Sequence, residues 1–200
     1  MGNKDWTGNS VAYSKTLGAS SHAEHDREQH DYYATEPKAV KFLFELEHFD
    51  GKIWECACGE GSLSEEMKKL GYEVLSTDII DRGYGDKIMD FLGLENHNET
   101  DMHIVTNPPY RYANDFIIRA LSIMQQGKKL ALFLPIRYLE GKQRKQTFRK
   151  YPPKIVYVSS SRLKCAINGE FEKMTGSAVS YAWFVWEKGY NGKTMLDWFN

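Results

Sequence analysis

The residues best suited to chemistry are the four consecutive residues Asn107-Pro108-Pro109-Tyr110. They follow the strand-forming run Ile104-Val105-Thr106, and two prolines in a row can continue neither a strand nor a helix interior. The chain must therefore leave its sheet at Asn107, at the carboxyl end of a strand, where open α/β sheets bind ligands. Asn107 offers side-chain and backbone carbonyl oxygens, and Tyr110 offers a flat aromatic face. Two acceptors beside a stacking surface suit a planar group that carries an NH2, such as adenine, cytosine or a carboxamide.

A second candidate site is the glycine-rich stretch Glu55-Cys56-Ala57-Cys58-Gly59-Glu60-Gly61, whose pattern predicts a strand, a tight turn and a helix. Its small residues let a ligand approach the backbone, and the amino end of a helix favours a carboxylate. The following Ser62-Leu63-Ser64-Glu65 has the pattern of a capping box, which predicts the helix start. A zinc half-site at Cys56 and Cys58 is the alternative, and it lacks a second pair of ligands.

An acidic residue, Asp78, ends the next predicted strand, Tyr72–Thr77. Nucleotide-binding sheets bind ribose hydroxyls with an acid at this place, about 20 residues after the glycine turn. Asp78 is therefore the predicted ribose ligand, with Ile79 beside it.

The order of these stretches resembles that of the amino-methyltransferases, S-adenosylmethionine-dependent enzymes that methylate exocyclic or amide nitrogens. Asn107–Tyr110 is similar to motif IV, and Glu55–Gly61 is similar to motif I, with Cys56 in place of the usual proline. The order from about residue 32 to 187 is similar to that of γ-type DNA adenine methyltransferases, and the short form to small phage-encoded members. The resemblance implies an α/β fold: a seven-stranded Rossmann-like sheet with a terminal antiparallel hairpin and helices on both faces.

The resemblance also assigns residues that local chemistry leaves open. Tyr33 and Thr35 are similar to motif X, which covers the methionine end of the cofactor, although Glu36 is an extra residue before Pro37. Asp90 and Phe91 stand at motif III, near the amino group and ring of the cofactor's adenine. The implied cofactor site is Tyr33, Thr35, Glu55, Ala57, Cys58, Gly59, Gly61, Asp78, Ile79, Asp90, Phe91 and Asn107. The implied catalytic residues are Asn107, Pro108, Pro109, Tyr110 and Phe171, where Phe171 (motif VIII) stacks on the second face of a flipped-out base.

Positive charge is concentrated in the second half of the chain, although the net charge is only −1. Residues 1–100 carry 10 Lys and Arg against 20 Asp and Glu, whereas residues 101–200 carry 16 against 7. The segment 140–154 has six basic residues and one acid, and we expect it to contact nucleic-acid phosphates. A solvated helix face is the alternative. The predicted contacts are Lys142, Arg144, Lys145, Arg149, Lys150 and, further along, Arg162.

Hydrophobic periodicity predicts the elements that position these residues. Thr35 is expected to cap a helix with Pro37 in its first turn, and another helix is expected from Asn114 to Met124. Further strands are predicted at Lys129–Leu134, Ile155–Val158 and Ala178–Trp186, the last being the final hairpin strand. Residues 1–31 are polar and predict a flexible arm, and 32–200 predict one methyltransferase domain with a basic, substrate-facing insertion at 140–176.

The expected function is transfer of a methyl group from S-adenosylmethionine to N6 of adenine in DNA. RNA adenine methylation, methylation of a protein glutamine amide, and a non-catalytic S-adenosylmethionine-binding module remain open. Three cysteines are too few for a disulfide framework, and the sequence shows neither a secretory leader nor a membrane span. We therefore expect a cytoplasmic protein, and we expect no metal.

Overall fold

Eight strands form the main sheet of the computed structural model, which describes residues 33–93, 99–161, 163, 165–167 and 179–200. These residues belong to one of the two units into which the chain divides, Tyr32–Asn200. The predicted arm lies outside the described residues. The strands are β1 (Tyr33–Thr35), β2 (Ile53–Glu55), β3 (Val74–Asp78), β4 (Lys87–Ile88), β5 (His103–Thr106), β6 (Lys129–Pro135), β7 (Ile155–Ser159), β8 (Cys165–Ile167), β9 (Tyr181–Glu187) and β10 (Met195–Phe199).

Four α-helices connect the strands within the described part of the chain. They are α1 (Pro37–Leu46), α2 (Ser62–Lys69), α3 (Ala113–Ile123) and α4 (Lys142–Lys150). Two short 3-10 helices, Tyr110–Tyr112 and Ile136–Leu139, follow β5 and β6. None of the described helices combines the length and apolar character that a membrane crossing needs.

The main sheet has the order β10-β7-β9-β6-β5-β2-β3-β4, and only β9 runs antiparallel to its neighbours. The predicted α/β class is confirmed, but the prediction of seven strands is wrong. The eighth strand, β10, pairs in parallel with β7 at the sheet edge. The antiparallel strand is therefore not the last one, and it begins at Tyr181 rather than at Ala178, which lies outside the described residues.

Two predicted helix caps are wrong. Thr35 lies in β1, and Glu36 precedes α1 without a side-chain capping bond, although Pro37 is the first helical residue as predicted. The capping box at Ser62 does not form because Ser62 is already the first helical residue. The N-cap position is taken by Gly61, which has a φ of 85°. The Ser64 hydroxyl, which lies inside the helix, donates to the buried Glu55.

Apolar side chains cover both faces of the main sheet. The predicted inward face of α3 is confirmed, since Phe116, Ile117, Ala120, Leu121 and the following Met124 are all buried. Trp183 and Trp186 of β9 are also buried, as the sequence indicates, and point to opposite faces of the sheet. Their indole N–H groups donate to the backbone oxygens of Ala39 and Tyr151 at 2.8 and 3.0 Å, which satisfies these polar groups.

Candidate active site

Three neighbouring parallel strands carry the predicted site residues at their carboxyl ends. The order β3-β2-β5 places Asp78, the turn after Glu55 and Asn107 along one edge of the sheet. The carboxyl ends of parallel strands point the same way, so stretches far apart in sequence meet at this edge. The structure thus brings the glycine turn, Asp78 and Asn107 together.

The glycine turn is tied to the end of β3 by backbone hydrogen bonds. The Gly59 N–H donates to Asp78 Oδ2 at 2.8 Å, and the Cys58 N–H donates to the Thr77 oxygen at 3.0 Å. The other carboxylate oxygen of Asp78 accepts the Ile80 N–H at 3.0 Å. Asp78 is only partly buried, and a carboxylate has about four acceptor positions, so capacity for a ligand remains. The neighbouring Ile79 is exposed and gives this edge an apolar surface.

Glu55 lies under the turn and has no contact with solvent. Ser64 donates its hydroxyl to Glu55 Oε2 and also lies 2.6 Å from the hydroxyl oxygen of Ser76. The other carboxyl oxygen, Oε1, is buried without a hydrogen-bond partner among the described residues. Burial raises the pKa of Glu55 to about 8, opposed by the Ser64 hydrogen bonds. At neutral pH Glu55 is therefore mostly a neutral acid.

The loop 81–86 packs onto the glycine turn, a role that no local sequence pattern indicates. A Cβ atom added to Gly61 would lie 2.4 Å from the ring of Tyr84. The Tyr84 hydroxyl donates to Glu65 at 2.6 Å and accepts a hydrogen bond from the Lys68 ammonium at 3.0 Å. Asp86 fastens the loop to β3 by accepting the Ser76 N–H at 2.8 Å. Gly61 is thus required both for its backbone conformation and for the space that Tyr84 fills.

Asp90 and Phe91 have different environments. Asp90 is exposed and accepts the Leu92 N–H at 2.9 Å. Phe91 is only 2% exposed, and its ring centroid lies 5.2 Å from that of Trp54 and 5.0 Å from that of Phe116. Phe91 is thus a core residue, and its stacking on a cofactor ring stays a prediction.

The chain leaves β5 at Asn107, as the double proline predicts, and forms a 3-10 turn from Tyr110. The Asn107 side-chain amide donates from Nδ2 to Thr35 Oγ1 at 2.9 Å. The Tyr110 ring is partly buried, with its centroid 6.2 Å from that of Tyr181. The predicted acceptor and the predicted stacking surface therefore lie together at one strand end.

A separate two-stranded sheet of β1 and β8 carries Thr35, which pairs with Cys165 in antiparallel register. Neither the sheet nor the bond from Thr35 to Asn107 was predicted from the sequence. The side chain of Tyr33 is not among those the structure describes, and Phe171 and Arg162 lie outside the described residues. Their predicted roles stay predictions.

The basic segment forms α4 and the turn before it. Lys142, Lys145, Arg149 and Lys150 are exposed. Arg144 has another role as well, because its guanidinium donates to the backbone oxygens of Arg137 and Glu140 at 3.1 and 2.9 Å. It also lies 4.2 Å over the Tyr138 ring. Arg144 thus braces the start of α4.

The direction of α4 separates its basic residues into two groups. The helix begins after the carboxyl end of β6, through the turn Ile136–Leu139, and ends before the first residue of β7. Its amino end is therefore near the edge that carries the site, and its carboxyl end is roughly 12 Å farther away. Lys142 and Lys145 belong to the near part, whereas Arg149 and Lys150 belong to the far part. Within the described residues, no group of three or more His, Cys, Asp or Glu side chains could hold a metal ion.

Comparison with solved structures shows the same fold in several proteins. TrmN from Thermus thermophilus has a TM-score of 0.54 at 17% identity over 76% of this chain and 48% of its own, so this chain spans about half its length. A Listeria monocytogenes protein, described as a class I S-adenosylmethionine-dependent methyltransferase, has a TM-score of 0.56 at 11% identity over 94% of this chain and 70% of its own. The M protein of the type I restriction enzyme EcoKI has a TM-score of 0.52 at 13% identity over 77% and 43%.

The fold is therefore that of the Rossmann-like class I methyltransferases. No protein-family model matches the sequence, and a search of curated proteins finds no match. The likeness shows the fold alone, and the chemistry depends on the residues of the site.

Proposed function

We propose that this protein transfers a methyl group from S-adenosylmethionine to N6 of adenine in DNA. The observation that carries the proposal is the position of the Asn107 amide. It lies at the carboxyl end of β5, where it donates a hydrogen bond to Thr35. The glycine turn, which is hydrogen-bonded to Asp78, follows the neighbouring strand β2. A cofactor on the turn and a base at Asn107 would therefore be neighbours.

The residues of the turn fit the cofactor. The small residues from Ala57 to Gly61 let a ligand approach the backbone, and Asp78 has acceptor positions for ribose hydroxyls. Burial of the Glu55 carboxyl beneath them, with Oε1 unpartnered among the described residues, suits a ligand that carries positive charge. The chemistry that S-adenosylmethionine supplies when bound is an electrophilic methyl group on a sulfonium.

The residues from Asn107 to Tyr110 suit an exocyclic amino group. The nitrogen lone pair of N6 is delocalised into the adenine ring, which makes it a poor nucleophile. Hydrogen bonds from the amino group to Asn107 Oδ1 and the Pro108 carbonyl localise this pair toward the methyl group, so no strong base is needed. The rate gain then comes from positioning and from placed dipoles.

Aromatic stacking offsets the cost of extruding the base. Stacking stabilises a base by roughly 1–3 kcal/mol per aromatic face. Flipping a base out of a duplex costs a few kcal/mol. Tyr110 supplies one face in this proposal and Phe171 the second, and together they balance the cost, which one face alone would not.

Support for DNA as the substrate comes from charge. The exposed Lys142 and Lys145 lie at the site end of α4, where a duplex backbone would pass. The M protein of a type I restriction enzyme shares the fold. RNA adenine and a protein glutamine amide are the other targets that the same acceptor geometry would accept.

The direct test incubates the purified protein and tritiated S-adenosylmethionine with duplex DNA, RNA or protein, and quantifies methylated products by mass spectrometry. We expect N6-methyladenine from DNA. Activity should fall by about 100-fold or more in Asn107→Ala, because a positioned polar group at a reacting centre contributes roughly 2.7–4 kcal/mol. Tyr110→Phe should be mild, since stacking survives, and Tyr110→Ala severe. Methylation of RNA or protein alone would reassign the substrate. No turnover on any of them would leave a binding module.

A further inference from the structure

Thr35 and Asn107 are 72 residues apart in the chain, and their side chains are joined by a hydrogen bond of 2.9 Å. Thr35 is fully buried and Asn107 is partly buried. The resemblance to known methyltransferases assigns Thr35 to the methionine end of the cofactor. In the structure its hydroxyl is hydrogen-bonded to Asn107, the residue that the proposed reaction needs at the target amino group.

The backbone on both sides of Thr35 holds its hydroxyl in place. Thr35 is paired with Cys165 in the β1–β8 sheet, and α1 begins two residues later at Pro37. Helix α1 is itself anchored in the core by the fully buried Ala39, Val40 and Leu43. Because threonine is β-branched, its χ1 angle is also restricted. The hydroxyl oxygen is therefore held in a fixed position beside the amide of Asn107.

A partner in a fixed position matters because an asparagine side chain can adopt several rotamers. Only some of these rotamers would direct Oδ1 at a target amino group. The hydrogen bond from Nδ2 to Thr35 Oγ1 restricts the rotation and holds the amide group in one place.

We propose that Thr35 is a positioning residue that holds the Asn107 side chain in place for the target amino group. The catalytic consequence rests on the proposed function, whereas the hydrogen bond between the two side chains does not. Thr35 then acts through Asn107 rather than through the cofactor.

The kinetic test compares Thr35→Ser, which keeps the hydroxyl, with Thr35→Val and Thr35→Ala, which remove it. We expect kcat to fall about tenfold or more in the Val and Ala variants, with the KM for S-adenosylmethionine within about threefold of wild type. Thr35→Ser should retain most of the activity. In an Asn107→Ala background, Thr35→Val should have little further effect, because the amide it orients is absent.

Other results would overturn the proposal. Equal losses in the Ser and Val variants would show that the hydroxyl is not the important group. A raised KM for the cofactor with intact kcat would return Thr35 to the cofactor site. Additive losses with Asn107→Ala would mean that Thr35 acts independently of the amide.

A second measurement does not depend on activity. The side-chain NH2 signals of Asn107 in a nitrogen-15 spectrum, assigned by their loss in Asn107→Ala, report the partner of Nδ2. We expect them to move in Thr35→Val and to stay close to wild type in Thr35→Ser, in variants whose unfolding temperatures show that they are folded. Unmoved signals in Thr35→Val would contradict the proposed bond even if the enzyme is active. If the signals move but no methylation is found, the proposed function is contradicted, whereas the proposed hydrogen bond is still supported.

Discussion

Gly59 donates its backbone N–H to the carboxylate of Asp78 at 2.8 Å, which joins the turn after β2 to the end of β3. With Ile80 bonded to the second oxygen, the carboxylate bridges two backbone segments. Such a bridge fixes the turn in the shape a ligand would meet, so that less ordering remains to be done on binding.

The bridge predicts the effect of replacing Asp78. Asp78→Ala should weaken S-adenosylmethionine binding by about 1–3 kcal/mol, because a charged acceptor is removed. Titration calorimetry measures the change, and Asp81→Ala is the matched control, since Asp81 accepts the N–H of Gly83 in an exposed loop. Unchanged affinity in Asp78→Ala would remove this residue from the cofactor site.

The contact between Tyr84 and the glycine turn predicts different outcomes at two glycines. Gly61 and Gly71 have similar φ values of 85° and 91°, so alanine is strained at both, by about 1–2 kcal/mol. A Cβ at Gly71 meets nothing within 4 Å, whereas a Cβ at Gly61 meets the Tyr84 ring at 2.4 Å. Gly61→Ala should therefore lower the free energy of unfolding more than Gly71→Ala in denaturant titrations.

The clash itself is tested by a double variant. Tyr84→Ala removes the ring, so Gly61→Ala should cost less in the Tyr84→Ala background than in the wild type. If the two substitutions are additive, the ring does not constrain Gly61.

The direction of α4 predicts unequal contributions to DNA binding from its basic residues. Neutralising Lys142 and Lys145 to Gln should flatten the salt dependence of DNA affinity by nearly one slope unit for each phosphate that the protein no longer neutralises. The Arg149→Gln, Lys150→Gln pair, with the same change in charge at the far end, should have the smaller effect. Arg144 is left intact because it braces the helix start. Equal slopes in all three proteins would mean that α4 is a solvated face.

The sequence predicts the structure correctly where a local pattern has only one structural solution. Two prolines after Asn107 must end a strand, and the acid Asp78 at the carboxyl end of β3 lies at the ligand edge of a parallel sheet. Prediction fails where a polar side chain can form its hydrogen bond either with the nearby backbone or with a side chain that is distant in sequence. Thr35 fits a helix-cap pattern, yet its hydroxyl is hydrogen-bonded to Asn107. Ser64 lies inside the predicted capping box, yet its hydroxyl donates to the more distant Glu55.

The extra strand β10 was missed for a related reason. Met195, Leu196 and Trp198 are 49%, 47% and 60% exposed, so the strand lacks a buried face whose alternation would predict it. The strand forms through its backbone pairing with β7, which the pattern of its side chains does not predict.

Burial of Glu55 predicts how stability depends on pH. Its pKa is about 8 in the folded protein, above the ordinary 4.5, so folding favours the protonated form. The stabilisation is complete below pH 4.5 and is lost progressively as the pH rises through 8. Between these values the free energy of unfolding falls by about 1.4 kcal/mol for each pH unit. Glu55→Gln cannot ionise, so its free energy of unfolding, measured in urea, should rise relative to wild type from pH 5 to 8. Parallel curves for the two proteins would contradict a protonated Glu55.

Cofactor binding should also release a proton from Glu55, if the proposed function is right. S-adenosylmethionine carries a sulfonium and an ammonium, and a positive charge within about 4–6 Å lowers the pKa of a carboxyl by 1–3 units. In the protein without ligand, Asp78 opposes the ionisation of Glu55 and Lys68 favours it. Glu55 is mostly protonated at pH 7, so a fraction of a proton should leave when the cofactor binds. Calorimetry in buffers of different ionisation enthalpy measures this number, and Glu55→Gln corrects for protons released by the ligand itself. S-adenosylhomocysteine, which lacks the sulfonium charge, should release fewer. Equal release by wild type and Glu55→Gln would show that Glu55 keeps its proton when the cofactor binds, while no binding heat in either would count against the cofactor itself.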